Sequence, residues 1–293
     1  RRATASRLLR GRACAPDARQ RLHRACLGHR RGLAQESGVQ PLVLLLDLDE
    51  TLLRPRIPQV HKYDLASVDL SITIPVNDGV HCDLSLRPGL ARFFEWIRER
   101  RRAGRLEGPW LFAQGHSAYV TAVLAELDPE KDIFSDRVLS KEACTPTKTP
   151  WVLKDLTKVA CSGGGGASSL QRMVLVDNNT MSCILHPENT LMVRDWLGVG
   201  AADAELERVC RVLDGLMERA LEDAASGRQA DYAAHLVQTM PRYPDFLQRL
   251  RELRRRIEEP APMGMSLRDL HKELWNEACD AKRALLGLAP GEI

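Results

Sequence analysis

Five consecutive apolar residues that stop at an acid place the strongest constraint on the fold of this chain. The run Leu42–Leu46 is short and wholly apolar, which is typical of a strand buried on both faces of a parallel sheet, and Asp47 follows it directly. Residues 110–112 and 173–176 form two further apolar runs that also lead into polar segments. Parallel strands place their carboxyl ends at one edge of a sheet, where open α/β sheets bind ligands. These runs therefore predict a site at that edge.

Helical patterns separate the apolar runs. Residues 90–101 and 117–127 carry apolar side chains at helical spacing. Strands that alternate with helices predict an α/β fold with a parallel sheet flanked by helices. Before the first helix, alternating segments at 69–75 and 80–86 flank an Asn-Asp-Gly turn at 77–79. This pattern predicts a small β-hairpin insertion that overhangs the site.

The composition predicts one main domain with additions at both ends. The chain has 293 residues, of which 44% are hydrophobic, and this suffices for one sizeable core. We predict an Arg-rich N-terminal tail over residues 1–38, the α/β domain over 39–222 and a helical C-terminal extension over 223–293. The tail is nearly free of acids, which fits a solvated tail, an arm for nucleic acid or an acidic partner, or a mitochondrial or plastid transit peptide.

Several classes of function are disfavoured by composition. The eight cysteines are scattered without a C-x-x-C motif, so neither a zinc site nor a disulfide framework is expected. No apolar run of about 18 residues predicts a membrane span, and no secretory signal is visible. The glycines at 163–166 lack the Lys-Ser/Thr of a phosphate-binding loop and predict a flexible surface loop. We therefore expect an intracellular protein.

The C-terminal extension carries two further signals. The Ser-x-x-Asp sequence that begins at Ser266 predicts the start of a last helix. The arginines between 249 and 256 are compatible with a solvated helix face or with a docking surface for an acidic partner.

The segment Asp47-Leu48-Asp49-Glu50-Thr51-Leu52 carries the clearest chemical signal. Alternate residues of an extended segment point the same way, so Asp47 and Asp49 can face one cavity. Two close carboxylates require a cation or a shared proton, and either arrangement suits phosphoryl transfer. One carboxylate can attack phosphorus while a magnesium ion reduces the repulsion and the other acid protonates the leaving oxygen. The alternative interpretation is a pair of capping or loop acids.

From this segment onward, the sequence resembles the catalytic domain of the RNA polymerase II C-terminal-domain (CTD) phosphatases and the related small, NLI-interacting-factor-like phosphatases of the haloacid dehalogenase superfamily. The collinear motifs are Asp-Leu-Asp-Glu-Thr-Leu at 47–52, Leu-Arg-Pro-Gly-Leu at 86–90, Trp-Leu-Phe at 110–112, Val-Leu-Ser-Lys-Glu-Ala-Cys at 138–144, Val-Leu-Lys-Asp-Leu at 152–156, Val-Leu-Val-Asp-Asn at 174–178 and His-Pro-Glu-Asn at 186–189. The resemblance implies a Rossmann-like parallel sheet and a Mg²⁺-dependent phosphatase with an Asp-x-Asp-x-Thr nucleophile motif.

The resemblance also implies roles for individual residues. Asp47 becomes the aspartyl-phosphate, and Asp49 protonates the leaving group and later activates water. Lys154 neutralises charge on the nucleophile and the phosphate. Asp47, the Asp49 carbonyl, Asp177 and Asn178 surround the magnesium ion. Without the first motif, an Asx turn at the end of a strand explains the pair Asp177 and Asn178 better than a metal site does.

One motif departs from the family. Related phosphatases place a threonine or serine hydroxyl after the Leu-Phe of the second strand, where it donates to the phosphate, but this chain has Ala113. The predicted phosphate-binding positions are thus Thr51, Ala113, Gln114 and Lys154. Loss of one transition-state donor typically costs about 10²–10³ in rate.

Two classes of function follow from the resemblance. The first is a protein phosphatase for phosphoserine or phosphothreonine, and the second is a weakened or inactive phosphatase fold that binds peptides as a scaffold. The short interval between the first two motifs leaves no room for a large cap domain, which disfavours a small-molecule phosphatase. No direct nucleic-acid binding is expected, a nuclear or cytoplasmic location is expected, and the oligomeric state stays open.

Overall fold

The structure is a computed structural model that describes residues 38–162, 170–199 and 202–289. The strands, in chain order, are β1 (Leu42–Leu46), β2 (Leu53–Arg56), β3 (Leu70–Ile74), β4 (Val80–Leu86), β5 (Leu106–Phe112), β6 (Val138–Leu139), β7 (Thr145–Pro146), β8 (Val152–Leu153), β9 (Met173–Asp177) and β10 (Thr190–Met192). The helices are α1 (Leu90–Arg102), α2 (Ser117–Leu127), α3 (Thr157–Ser162), α4 (Glu205–Ala225), α5 (Tyr232–Thr239), α6 (Tyr243–Glu258) and α7 (Leu267–Leu286). The Arg-rich N-terminal segment before residue 38 and the glycine run at 163–166 lie outside the described residues.

A five-stranded sheet in the order β10-β9-β1-β5-β6 forms the centre of the described chain, and its pairings are parallel. The α/β fold predicted from sequence is confirmed. β1 lies in the middle of the sheet and is buried throughout, because its side chains alternate between the two faces. Leu42, Leu44 and Leu46 join the larger hydrophobic cluster, whereas Val43 and Leu45 join the smaller one.

The second apolar run is longer than its sequence predicts. The expected strand covered residues 110–112, but β5 begins at Leu106. Gly108 and Pro109 interrupt the pattern, and proline donates no ladder hydrogen bond. The structure accommodates them with a register shift opposite β1, between the pairs Val43 with Glu107 and Leu45 with Trp110. Such an irregularity cannot be recognised from apolar periodicity.

The insertion after β1 is the predicted hairpin with one additional strand. β3 and β4 pair antiparallel around a turn in which Asn77 has a positive φ of 50°. β2 pairs with the other side of β4, so the insertion is a three-stranded sheet in the order β2-β4-β3. α1 and α2 agree with the predicted segments within one residue.

The C-terminal helices pack on the same core as the sheet. Buried side chains of α5, α6 and α7, among them Tyr232, Phe246 and Leu274, belong to the larger hydrophobic cluster. The Tyr232 hydroxyl donates to the Gln40 carbonyl at 2.9 Å, just before β1. The Tyr243 hydroxyl donates to carbonyls around the start of β10. These helices therefore cover the sheet.

Contacts bear on two smaller features of the extension. Ser266 caps α7, because its side chain accepts a hydrogen bond from the Asp269 amide at 3.1 Å. Arg255 pairs with Glu252 and Glu259 on its own side of α6. Arg256 instead pairs with Glu273 and Glu277 of α7, so part of the arginine cluster joins the two helices. In the part of the chain that the structure describes, the helices are too short or too polar to cross a bilayer.

Candidate active site

A buried lysine joins two carboxylates at the carboxyl edge of the sheet. Asp47 follows β1, Asp177 ends β9 and Lys154 follows β8. The Lys154 ammonium nitrogen lies 2.6 Å from Asp47 Oδ1 and 2.6 Å from Asp177 Oδ2, and all three residues are buried. Residues separated by more than a hundred positions thus meet at one point, as the collinear motifs predicted.

Thr51 connects the nucleophile candidate to Asn178. The Thr51 hydroxyl lies 3.0 Å from Asp47 Oδ2 and 3.2 Å from Asn178 Oδ1. It also accepts a hydrogen bond from the backbone amide of Asn178 at 3.2 Å. The Thr51 side chain is fully buried. Its hydroxyl therefore contacts two site residues, and the phosphate contact expected for Thr51 stays a prediction.

Asp49 is paired with a residue that sequence analysis did not single out. The Tyr119 hydroxyl donates to Asp49 Oδ1 at 2.5 Å. Tyr119 lies in the first turn of α2, a helix whose apolar pattern is visible in the sequence. No sequence motif marked this tyrosine, because its partner lies 70 positions earlier in the chain.

Burial sets the protonation of the site. It raises the pKa of Asp47 to about 7, against the opposing charge of Lys154 and with help from Asp177. It raises the pKa of Asp49 to about 6, although the Tyr119 hydrogen bond favours the charged form. Burial alone would lower the pKa of Lys154, but the charges of Asp177 and Asp47 outweigh it and raise that pKa. The lysine stays protonated.

The charges at this edge do not balance. Among the described residues, the carboxylates of Asp47 and Asp177 contact the ammonium group of Lys154, and Asp49 adds a third carboxylate two positions after Asp47. These four groups carry a formal excess of two negative charges. In the described part of the chain, no group of three or more His, Cys, Asp or Glu side chains is arranged as a metal cluster. Any cation here must be held by fewer acids together with other oxygens.

The residues that follow β5, Ala113 and Gln114, already have partners within the protein. Ala113 is fully buried, and its backbone amide donates to the Leu139 carbonyl at 2.8 Å. The Gln114 amide nitrogen donates to the Val152 carbonyl at 2.6 Å, and its oxygen accepts from Asn179 at 3.1 Å. Both ends of the Gln114 side chain are therefore engaged within the protein.

A buried arginine holds the turn that presents Asp49. Glu50 has a positive φ of 63°, which is uncommon outside glycine. The Arg87 guanidinium donates to the Thr51 carbonyl at 3.0 Å and forms an ion pair with Asp203 at 2.9 Å. Arg87 belongs to the Leu-Arg-Pro-Gly-Leu motif, but its function as a turn anchor depends on tertiary contacts that the motif does not display.

A family model described as NLI interacting factor-like phosphatase matches residues 42–224. The chain belongs to this family. The match covers more than half of the chain, runs from β1 through α4 and contains every residue of the site described above. The NLI interacting factor-like assignment agrees with the family predicted from the collinear motifs.

Curated relatives are similar over the same region. Phosphatase PSR1 of Saccharomyces cerevisiae is 29% identical over 174 residues, which cover 59% of this chain and 36% of the relative. Human CTD small phosphatase-like protein is 27% identical, covering 59% of this chain and 55% of the relative. CTD small phosphatase-like protein 1 of Caenorhabditis elegans is 30% identical, covering 63% and 33%. The chain thus spans less than two thirds of the length of these relatives.

Solved structures support the fold. The RNA polymerase II CTD phosphatase Fcp1 of fission yeast, bound to beryllium fluoride, aligns with a TM-score of 0.52 at 18% identity over 73% of this chain and 74% of that chain. A second structure of Fcp1 aligns with the same TM-score at 19% identity, over 73% of each chain. At this identity the likeness is one of fold.

Proposed function

We propose that this chain is a Mg²⁺-dependent phosphatase of phosphoserine and phosphothreonine in proteins, with Asp47 as its nucleophile. The observation that carries the proposal is the contact of Lys154 with both Asp47 and Asp177, at 2.6 Å each, beside Asp49. A phosphoryl group spreads negative charge over its outer oxygens during transfer, so a fixed ammonium next to the nucleophile stabilises that charge.

The donor set suits magnesium. Mg²⁺ prefers oxygen ligands, keeps several waters and is commonly held by one or two carboxylates. Asp47, the Asp49 carbonyl and the Asn178 amide oxygen would hold it, with Asp177 beside them, and the excess of two negative charges matches a divalent cation. When bound, the ion would reduce the repulsion between the nucleophile and the phosphate dianion.

The two proton transfers are assigned to Asp49. In the first step, an Asp47 oxygen bonds to phosphorus, the phosphorus–oxygen bond to serine breaks, and Asp49 gives its proton to the serine oxygen. In the second step, a water oxygen bonds to phosphorus, its proton passes to Asp49, and inorganic phosphate leaves Asp47. Thr51 holds Asp47 in place through the hydrogen bond to Oδ2.

The substrate is proposed to be an extended phosphoprotein segment. The insertion is a small three-stranded sheet, so no large cap closes over the site within the described residues. Several relatives are named for the RNA polymerase II CTD, which motivates phosphoserine peptides as first substrates and a nuclear or cytoplasmic location.

The proposal is tested with the purified full chain, an aryl phosphate and a phosphoserine peptide. We expect hydrolysis with Mg²⁺, loss of hydrolysis in excess chelator, and recovery when Mg²⁺ is restored, because the cation offsets the repulsion at Asp47. Calcium serves as the matched control, since it takes more ligands at longer distances and should not restore the rate. A rate unaffected by chelation would contradict the proposal.

Restoring the missing hydroxyl should raise activity. We expect Ala113→Thr to increase kcat/KM by about tenfold to a hundredfold, because one transition-state donor typically contributes about 10²–10³ and the buried position limits its fit. Ala113→Val is the matched control, since it adds similar volume without a donor, and Ala113→Ser adds the hydroxyl with less crowding.

The same series of variants distinguishes an enzyme from a catalytically inactive phosphatase fold. Activity in the native chain supports catalysis. Activity that appears only in the Thr or Ser variant would support the second candidate, a peptide-binding domain, which is favoured by the missing donor at Ala113 and the engaged Gln114 side chain.

A further inference from the structure

The last helix places a buried lysine beside the candidate site. Lys282 of α7 is 3% exposed, and its ammonium group forms an ion pair with Asp195, which lies three residues after β10. Burial of a charged lysine is unfavourable unless a partner compensates for the lost hydration. The sheet and α7 are therefore joined by an ion pair that is largely removed from solvent.

Asp195 in turn contacts a proposed magnesium ligand. The Asn178 side-chain nitrogen donates to Asp195 Oδ1 at 2.8 Å and lies 3.3 Å from Glu50 Oε2. The carboxylates of Asp195 and Glu50 both face one end of the Asn178 side-chain amide. That end must be the nitrogen, because a carboxylate accepts hydrogen bonds and repels an amide oxygen. The Asn178 oxygen is thereby turned toward the Thr51 hydroxyl, which also contacts Asp47.

Lys282 makes this arrangement electrostatically acceptable. Without a cation, Asp195 would add another carboxylate beside Glu50 and a site that already carries excess negative charge. Lys282 compensates that charge at Asp195 Oδ1, the same carboxylate oxygen that accepts from Asn178. The carboxylate of Asp195 can then accept from the amide without competing for the cation.

A second contact ties α7 to the other side of the site. The His271 ring stacks on Trp151, with ring centroids 4.0 Å apart and an interplanar angle of 18°. Trp151 lies three residues before Lys154. The helix rises about 16 Å between His271 and Lys282 at 1.5 Å per residue. α7 thus contacts Trp151 near Lys154 and also Asp195, which accepts from Asn178. It nevertheless lies outside the family match at 42–224.

We propose that Asp195 and Lys282 are positioning residues that fix the Asn178 amide with its oxygen toward the magnesium position. The inference rests on the proposed function and extends it, because it assigns part of the metal site to a helix beyond the family domain. Groups behind a metal ligand commonly contribute tenfold to a hundredfold in affinity.

The test is Mg²⁺ binding by calorimetry, without substrate, in the full chain. We expect the double variant Asp195→Leu/Lys282→Met to bind Mg²⁺ about 10- to 100-fold more weakly, since Asn178 loses the nearer of its two carboxylate acceptors and keeps only the longer contact with Glu50. Removing both charges together avoids a lone buried ion, so the melting temperature should stay close to that of the native chain. If this double variant does not fold, Asp195→Ala/Lys282→Gln replaces it, because its side chains are easier to accommodate. The same loss of Mg²⁺ affinity is expected.

Asp195→Asn is the conservative control. Its amide oxygen can still accept from Asn178 and Lys282, so we expect Mg²⁺ affinity within about threefold of the native value. A folded double variant with unchanged Mg²⁺ affinity would overturn the inference, because a purely structural ion pair would alter only stability. Absence of Mg²⁺ binding and hydrolysis in the native chain would instead overturn the proposed function, so the two failures are distinguishable.

Discussion

Asp47→Asn is expected to abolish phosphate release, with a fall in kcat on the order of 10⁴-fold or more, because loss of a covalent nucleophile removes the reaction path itself. The asparagine oxygen can still accept from Lys154 and Thr51, which now bond the Asp47 carboxylate, so the fold should be retained. The measurement is hydrolysis of an aryl phosphate together with detection of radiolabelled phosphate on acid-precipitated protein after mixing with a labelled phosphoserine peptide.

The native chain should carry label and the variant none. Asp136→Asn is a matched control, because it makes the same chemical change at an exposed acid away from the site, and it should leave both readouts unchanged. Equal labelling of the native and Asp47→Asn chains would place the phosphate on another residue and refute the assigned nucleophile.

Asp49→Asn is expected to affect the two steps differently. Phosphoserine has a poor leaving group that needs a proton, so its cleavage should fall by about 10²–10⁴. An aryl phosphate has a good leaving group, and its first step should be nearly preserved while hydrolysis of the aspartyl-phosphate slows. The variant should therefore give a burst of about one equivalent of phenol and accumulate label. Equal losses for both substrates without a burst would argue against Asp49 as the acid.

The pH dependence follows from the same residue. Burial raises the pKa of Asp49 to about 6, so its proton is available below that pH and lost above it. Transfer from phosphoserine should fall as pH rises through about 6, whereas hydrolysis of the aspartyl-phosphate should fall as pH drops through the same range. In Asp49→Asn, both steps should lose this dependence on pH.

Stability provides the control for folding of this variant. The folded-state pKa of Asp49 lies above its ordinary value near 3.8, so the folded protein binds more protons than the unfolded chain between these values. The contribution of Asp49 therefore becomes less favourable as pH rises through this window and is least favourable above about 6. Asp49→Asn retains an acceptor for Tyr119 and removes the buried charge, so its melting temperature at pH 8 should equal or exceed that of the native chain.

The local features of this site were predictable because they follow from short-range pattern. Five apolar residues before Asp47 identify a central strand, and residues 173–176 before Asp177 identify its neighbour. Parallel pairing then brings the two acids together. Lys154 was selected only by resemblance, because several nearby lysines have similar surroundings in sequence, and its contacts with Asp47 and Asp177 arise from tertiary packing.

The partners behind the site were not predictable for the same reason. Tyr119, Asp195 and Lys282 each lie on an element whose local pattern signals only helix or loop, and their polar contacts join residues 17 to 87 positions apart. β2 was missed because Leu-Arg-Pro-Arg shows no strand alternation; it forms by pairing with β4. Register irregularity at Gly108 and Pro109 likewise depends on the neighbouring strand.

The tyrosines of the last helices also affect the order in which the chain acquires structure on the ribosome. Tyr232 and Tyr243 satisfy backbone carbonyls near β1 and β10, and α7 ends about 90 residues after β10. At synthesis rates of about 5–20 residues per second, β10 exists for roughly 5–20 s before α7 is complete, and β1 exists for longer. During that interval, the sheet presents an apolar face on which chaperones can act.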